Sequence, residues 1–196
     1  MIKDYFENIS DYVINRKYNV IDCKKTIKEP TDINVSAVLG YELAPEVQYV
    51  YNHYNEFILA WENAAGKYLG QINFVAFADI EKEHWKLVAI MEEIYDTRLD
   101  DLNIYQSIIN WYPLFYFANG DAFCLDKRDG SIRFYDHEVY DGMEDVGIFG
   151  VKIANSINDL FENWGQLHFA DVYYWDEVCN EDGIDVKSEL AQRFID

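Results

Sequence analysis

The sequence predicts a single α+β domain, with a central, mostly antiparallel sheet flanked by N- and C-terminal helices. Three observations point there. Residues 121–135 form a hairpin pattern: Asp121–Asp126 alternate polar and apolar, Lys127–Gly130 end in Asp-Gly, and Ile132 and Phe134 resume the alternation. Two terminal segments, 2–15 and 156–167, repeat apolar residues at helical spacing. The 196 residues are 50% hydrophobic and 17% aromatic, enough to build one core and too apolar for a disordered chain.

Each element has its own signal. In the first helix Ile2, Tyr5, Phe6, Ile9, Tyr12 and Val13 share a face. A basic link, Lys17–Lys28, follows and closes at Glu29-Pro30. Thr31 or Asp32 is suited to cap a short helix that Gly40 stops. Pro45 fits the first turn of a longer helix to about Glu62, along the stripe Val47, Val50, Tyr51, Tyr54, Phe57, Ile58 and Trp61. Gln71–Phe77 has strand character, Asp79–Trp85 that of a helical turn, and Lys86–Ile90 that of another strand. A short helix is expected at Leu102–Ile109, and a buried strand at Trp111–Phe117. Beyond the hairpin, Asp141–Gly150 is an acidic, glycine-containing loop. Asn155 is placed to cap the helix Ser156–Leu167, and Asp171–Val178 and Asp185–Phe194 are two more short helices.

Charge is the strongest compositional signal. Sixteen basic residues against thirty-six acidic ones give a net charge of −20. Residues 1–30 carry a net +1, residues 31–130 carry −10, and residues 131–196 carry −11. Such a surface repels phosphate backbones and anionic lipid, so no nucleic acid and no membrane is expected as a partner, whereas a basic protein would be attracted. No apolar run reaches the roughly 20 residues of a bilayer span. The start, MIKDYFENISDYVINRK, lacks the pattern of an export signal, and a cytoplasmic location is expected. Cys23, Cys124 and Cys179 have no metal or redox spacing and are expected to be reduced and structural.

Several motifs, in order, resemble one family. Leu39-Gly40-Tyr41-Glu42-Leu43-Ala44-Pro45 is similar to its helix entry, with Ala44 inserted before the proline. Trp111-Tyr112-Pro113-Leu114-Phe115 with Asn119-Gly120-Asp121 is similar to its central segment. Phe123-Cys124-Leu125-Asp126 with Asp129-Gly130 matches its hairpin, Phe134-Tyr135-Asp136-His137-Glu138 its strand end, and Ala154-Asn155-Ser156-Ile157-Asn158-Asp159-Leu160 the start of its last helix. On these residues the chain resembles the SUKH superfamily, the SMI1/KNR4-like proteins, across positions 36–165. Residues 1–30 would then be an N-terminal helix and link, and 170–196 a helical extension. The resemblance implies a binding function rather than catalysis. Bacterial members are commonly immunity proteins that neutralise toxins, often nucleases, and fungal members regulate cell-wall synthesis. It carries no catalytic motif and no cofactor.

The expected function is therefore that of a cytoplasmic immunity protein, not an enzyme, which binds a cognate basic toxin of nuclease type. The residues expected to meet that partner are Asp136, Glu138, Asp141, Glu144 and Asp145 after the hairpin, and Asp171, Tyr174, Asp176 and Glu177 nearer the C-terminus. They are chosen from charge placement, because carboxylates around aromatic residues suit a basic surface. For Tyr173, Tyr174 and Trp175, core packing is the better single expectation. Two other readings stay open: a regulatory or scaffold protein for an endogenous partner, and a hydrolase or metalloenzyme using Asp136-His137-Glu138. Against the second, strand alternation turns His137 away from Asp136 and Glu138, no histidine sits at partner spacing, and His137 is better suited to anchor the strand end by a hydrogen bond. Asp121, Asp126 and Asp129 lack the ligand order of a calcium loop and fit turns. Ser107, Ser131 and Ser156, the serines considered for a triad, sit in no nucleophile elbow.

Overall fold

A computed structural model describes residues 2–27, 34–94, 103–138 and 148–195. Among the described residues nine strands form one antiparallel sheet: β1 (Asn19–Ile27), β2 (Tyr54–Glu62), β3 (Tyr68–Phe74), β4 (Trp111–Tyr116), β5 (Ala122–Asp126), β6 (Ile132–Tyr135), β7 (Lys152–Ala154), β8 (Cys179–Asn180) and β9 (Gly183–Ile184). Their order is β1-β2-β3-β4-β5-β6-β7-β9-β8, so each strand through β7 lies beside its predecessor. The α+β class follows directly. Among the described residues no helix is long and apolar enough to cross a membrane.

The helices are α1 (Ile2–Asn15), α2 (Val35–Leu39), α3 (Pro45–His53), α4 (Ile80–Ile94), α5 (Asn103–Ile108), α6 (Ile157–Gln166), α7 (Trp175–Val178) and α8 (Glu189–Ile195). Alternation along β5 assigns them to two layers. Phe123 and Leu125 join the main core with Phe6, Val13, Val50, Phe161 and Trp164 of α1, α3 and α6. Ala122 and Cys124 face the other way, onto Leu87, Val88 and Met91 of α4 and Ile108 of α5. All five β5 residues are therefore buried. Full burial of each large apolar side chain contributes roughly 2–3 kcal/mol, which makes this strand the centre of the fold. All three cysteines are free, and Cys124 is packed as a small hydrophobe whose thiol burial pushes upward.

Several expectations are corrected. The basic link is β1, an edge strand against β2 with Lys24 paired to Glu56 at 2.6 Å. Its residues are all exposed, so no burial pattern marks it in the sequence. The helix expected from Pro45 to Glu62 ends at His53. From Tyr54 onward Phe57, Leu59 and Trp61 point alternately into the core, and a period of two suits β2 as well as the helical stripe did. Conversely, the strand expected at Lys86–Ile90 lies inside α4, because Ile80, His84, Leu87, Val88 and Met91 make one buried helical stripe. The third strand runs Tyr68–Phe74, three residues earlier than expected, and a 3-10 turn covers Phe77–Asp79.

Near the C-terminus, Ser156 rather than Asn155 caps α6, its hydroxyl accepting the Asp159 N–H at 3.1 Å. The expected helix at 171–178 shrinks to α7, and the helical extension contains the β8–β9 hairpin, which packs on β7. Asn34 caps α2, while Thr31 and Asp32 lie outside the described residues. The inserted Ala44 has a role of its own: its N–H donates to Asn158 Oδ1 at 2.8 Å, tying the entry of α3 to α6.

Candidate functional site

The β5–β6 register determines what gathers at one end of the sheet. Ala122 pairs with Tyr135, so the residue before β5 meets the residues after β6. Asp121 is that residue and is buried. Its Oδ1 accepts the backbone N–H of His137 at 3.0 Å and the ring Nδ1 at 2.7 Å, and its Oδ2 accepts Asn119 Nδ2 at 2.6 Å. A carboxylate accepts, so the His137 Nδ1–H is the donor of this bond. The hydrogen-bond anchor expected of His137 is present. Gly120 beside it sits at φ +103, a conformation that side chains rarely adopt, and a Cβ there would only touch the imidazole, at 3.4 Å.

Asp136 follows β6 and is half-buried. Burial, with the like charge of Asp121, raises its carboxyl above the ordinary value, although the Glu138 N–H donates to it at 2.9 Å. Asp121, Asp136 and His137 each bring one ligand atom within 4.8 Å of the others. The convergent third group that the trio Asp136-His137-Glu138 lacks in sequence is thus Asp121, not Glu138, which is exposed. The site presents a His–carboxylate pair, an arrangement able to move protons. The serines considered as nucleophiles are elsewhere: Ser131 donates to Asp129 at 2.6 Å, Ser156 caps α6, and Ser107 lies on α5.

A second acidic segment arrives from far along the chain. After α6, His168 and Phe169 take left-handed backbone at φ 51 and 53, and the chain turns back along β3. Ala170 bridges Gly70, and the Asp171 N–H donates to Leu69 O at 3.1 Å. Asp171 thereby comes within electrostatic reach of Asp121. Its burial and that neighbour push its carboxyl up to about 6, against the Tyr173 N–H that donates to it at 3.3 Å. The Tyr173 hydroxyl is raised by burial and by the same two carboxylates, and that of Tyr68 by burial, Asp171 and Tyr173. Tyr173 and Tyr174 are 53% and 62% exposed, and Asp176 and Glu177 are exposed in the first turn of α7. Trp175 alone of the aromatic trio enters the core.

Of the residues expected at the partner surface, Asp136 and Asp171 are linked through Asp121; Glu138, Tyr174, Asp176 and Glu177 are exposed; and Asp141, Glu144 and Asp145 lie outside the described residues. Sequence reasoning missed Asp121 and Tyr68. The hairpin register, had it been extended one residue, would have placed Asp121 opposite the strand end. Nothing local connects Tyr68 to Asp171, a hundred residues later. Compared with known proteins, the chain matches no family model and no curated protein.

Proposed function

We propose that the protein acts by binding a basic protein through this acidic face. Taken with the motifs that resemble the SUKH superfamily, the partner is a cognate toxin of nuclease type, and the protein is its immunity factor. One observation carries the reading: Asp136 and Asp171, one from each acidic segment, both lie within electrostatic reach of a buried Asp121, and Tyr173 and Tyr174 beside Asp171 are largely exposed. A nuclease must attract phosphate, so its own groove is basic and complements such a face. The test is co-expression with the product of the neighbouring gene. The protein is expected to rescue growth, whereas Glu138→Lys, Asp176→Lys and Glu177→Lys together slow association about tenfold and flatten its salt dependence. Unchanged association and salt dependence would sink the surface assignment. Absence of a toxin gene beside this one would favour a regulatory partner.

A metal-centred reading has the grouping of Asp121, Asp136 and His137 in its favour. It has to compete with the N–H donors that already occupy both oxygens of Asp121. Zinc or calcium that raises the melting temperature with the logarithm of its concentration would establish it.

A further inference from the structure

Between β3 and α8 lies a concave pocket of about 520 Å3. Tyr68, Tyr173 and Tyr174 line it together with Asp171. Lys67 and Arg193 reach it too, but Arg193 is held by Glu189 at 2.9 Å, and Lys67 extends into solvent. Asp171 forms no ion pair among the described residues, and the neighbouring charge of Asp121 has the same sign. A half-buried carboxylate with no counter-ion, open to a pocket of three tyrosines, lacks the group that would balance it. Ring faces attract cations as the carboxylate does. Tyr173 is moreover held at φ 63, a left-handed conformation that bulky residues rarely adopt and that proteins retain where a side chain has to be aimed.

We propose that this pocket receives one arginine side chain of the basic partner, its guanidinium on the Asp171 carboxylate and its plane against the tyrosine rings. The inference rests on the acidic-face reading and names the residue type that anchors it. Arginine suits the site better than lysine because its planar fork matches a carboxylate, stacks on aromatic rings and sheds water more readily.

The probe is L-argininamide added to isotope-labelled full-length protein, with L-lysinamide as a control of equal charge. Saturable shifts are expected at Tyr68, Asp171, Tyr173 and Tyr174, with binding about tenfold weaker for lysinamide. Asp171→Asn, whose amide oxygen still accepts the Tyr173 N–H, is expected to abolish them. Tyr173→Asn, which tolerates left-handed backbone, should weaken them severalfold. No saturable binding, equal affinity for the two amides, or binding undiminished in both variants overturns the pocket. With the partner protein, Asp171→Asn is expected to weaken the complex about tenfold or more. If that variant binds normally while the Glu138, Asp176 and Glu177 reversals do not, the pocket fails and the acidic face stands. If neither set weakens binding, the acidic face fails with it.

Discussion

Burial raises the Asp171 carboxyl to about 6, so the folded chain holds a proton there that the unfolded chain releases near 3.8. Stability from this group is complete below the unfolded value and is lost as pH rises toward 6; at neutral pH the charged residue is a net cost. Asp171→Asn should therefore stabilise the protein at pH 7.5 by about 1–3 kcal/mol and by almost nothing at pH 4, measured by urea melts at the two values. Asp126 shows the opposite behaviour. Burial pushes it up, but the hydrogen bonds of Arg128 and the indole N–H of Trp111 at 3.0 Å outweigh burial and hold it low, so its contribution is present above about 3.8 and fades in stronger acid. Gly120 tests the link between Asp121 and His137. Gly120→Ala places a Cβ on the imidazole at a φ that side chains rarely accept, and should cost about 2 kcal/mol or more in a urea melt, with changed imidazole NMR signals.

At the scale of elements, the exposed edge of β1 is the exposed flank of the sheet. The register shift after Val20 and the pair Lys24 and Lys25 are devices that discourage another strand from joining, while Lys25 also covers the rings of Tyr54 and Phe57 at 5.1 and 5.3 Å. Lys24→Thr with Lys25→Thr should leave the chain folded but self-associating, with light scattering that grows with concentration. The central hairpin was legible because alternation, Asp-Gly and a buried partner strand all agree. β1 was not, because a fully exposed strand has no inside-outside pattern to read. The boundary at Tyr54 and the identity of α4 were ambiguous for a different reason: short aromatic and apolar runs satisfy both periods, and only the packing of the opposite layer decides between them. The acidic residues of the face were visible one by one, but their meeting depends on the backward turn at His168 and Phe169, which no glycine or proline announces.

Over the whole molecule, charge is segregated as well as abundant. The first thirty residues are near neutral, while both acidic segments, 136–138 and 171–177, belong to the most negative third. Net repulsion of this size keeps copies apart and speeds encounter with a cation-rich surface. The order of the sheet adds a constraint in time. Strands β1 to β7 each pair with the one made just before, so the sheet can assemble as synthesis proceeds, with little waiting for distant segments. The turn that carries Asp171 and Tyr173 back along β3 emerges after β1 to β7, and α8 follows it. A nascent chain therefore pairs β1 to β7 before the segment of Asp171 and Tyr173 is made, and a product cut after β7 would lack that segment together with the core residues Phe161, Trp164 and Trp175.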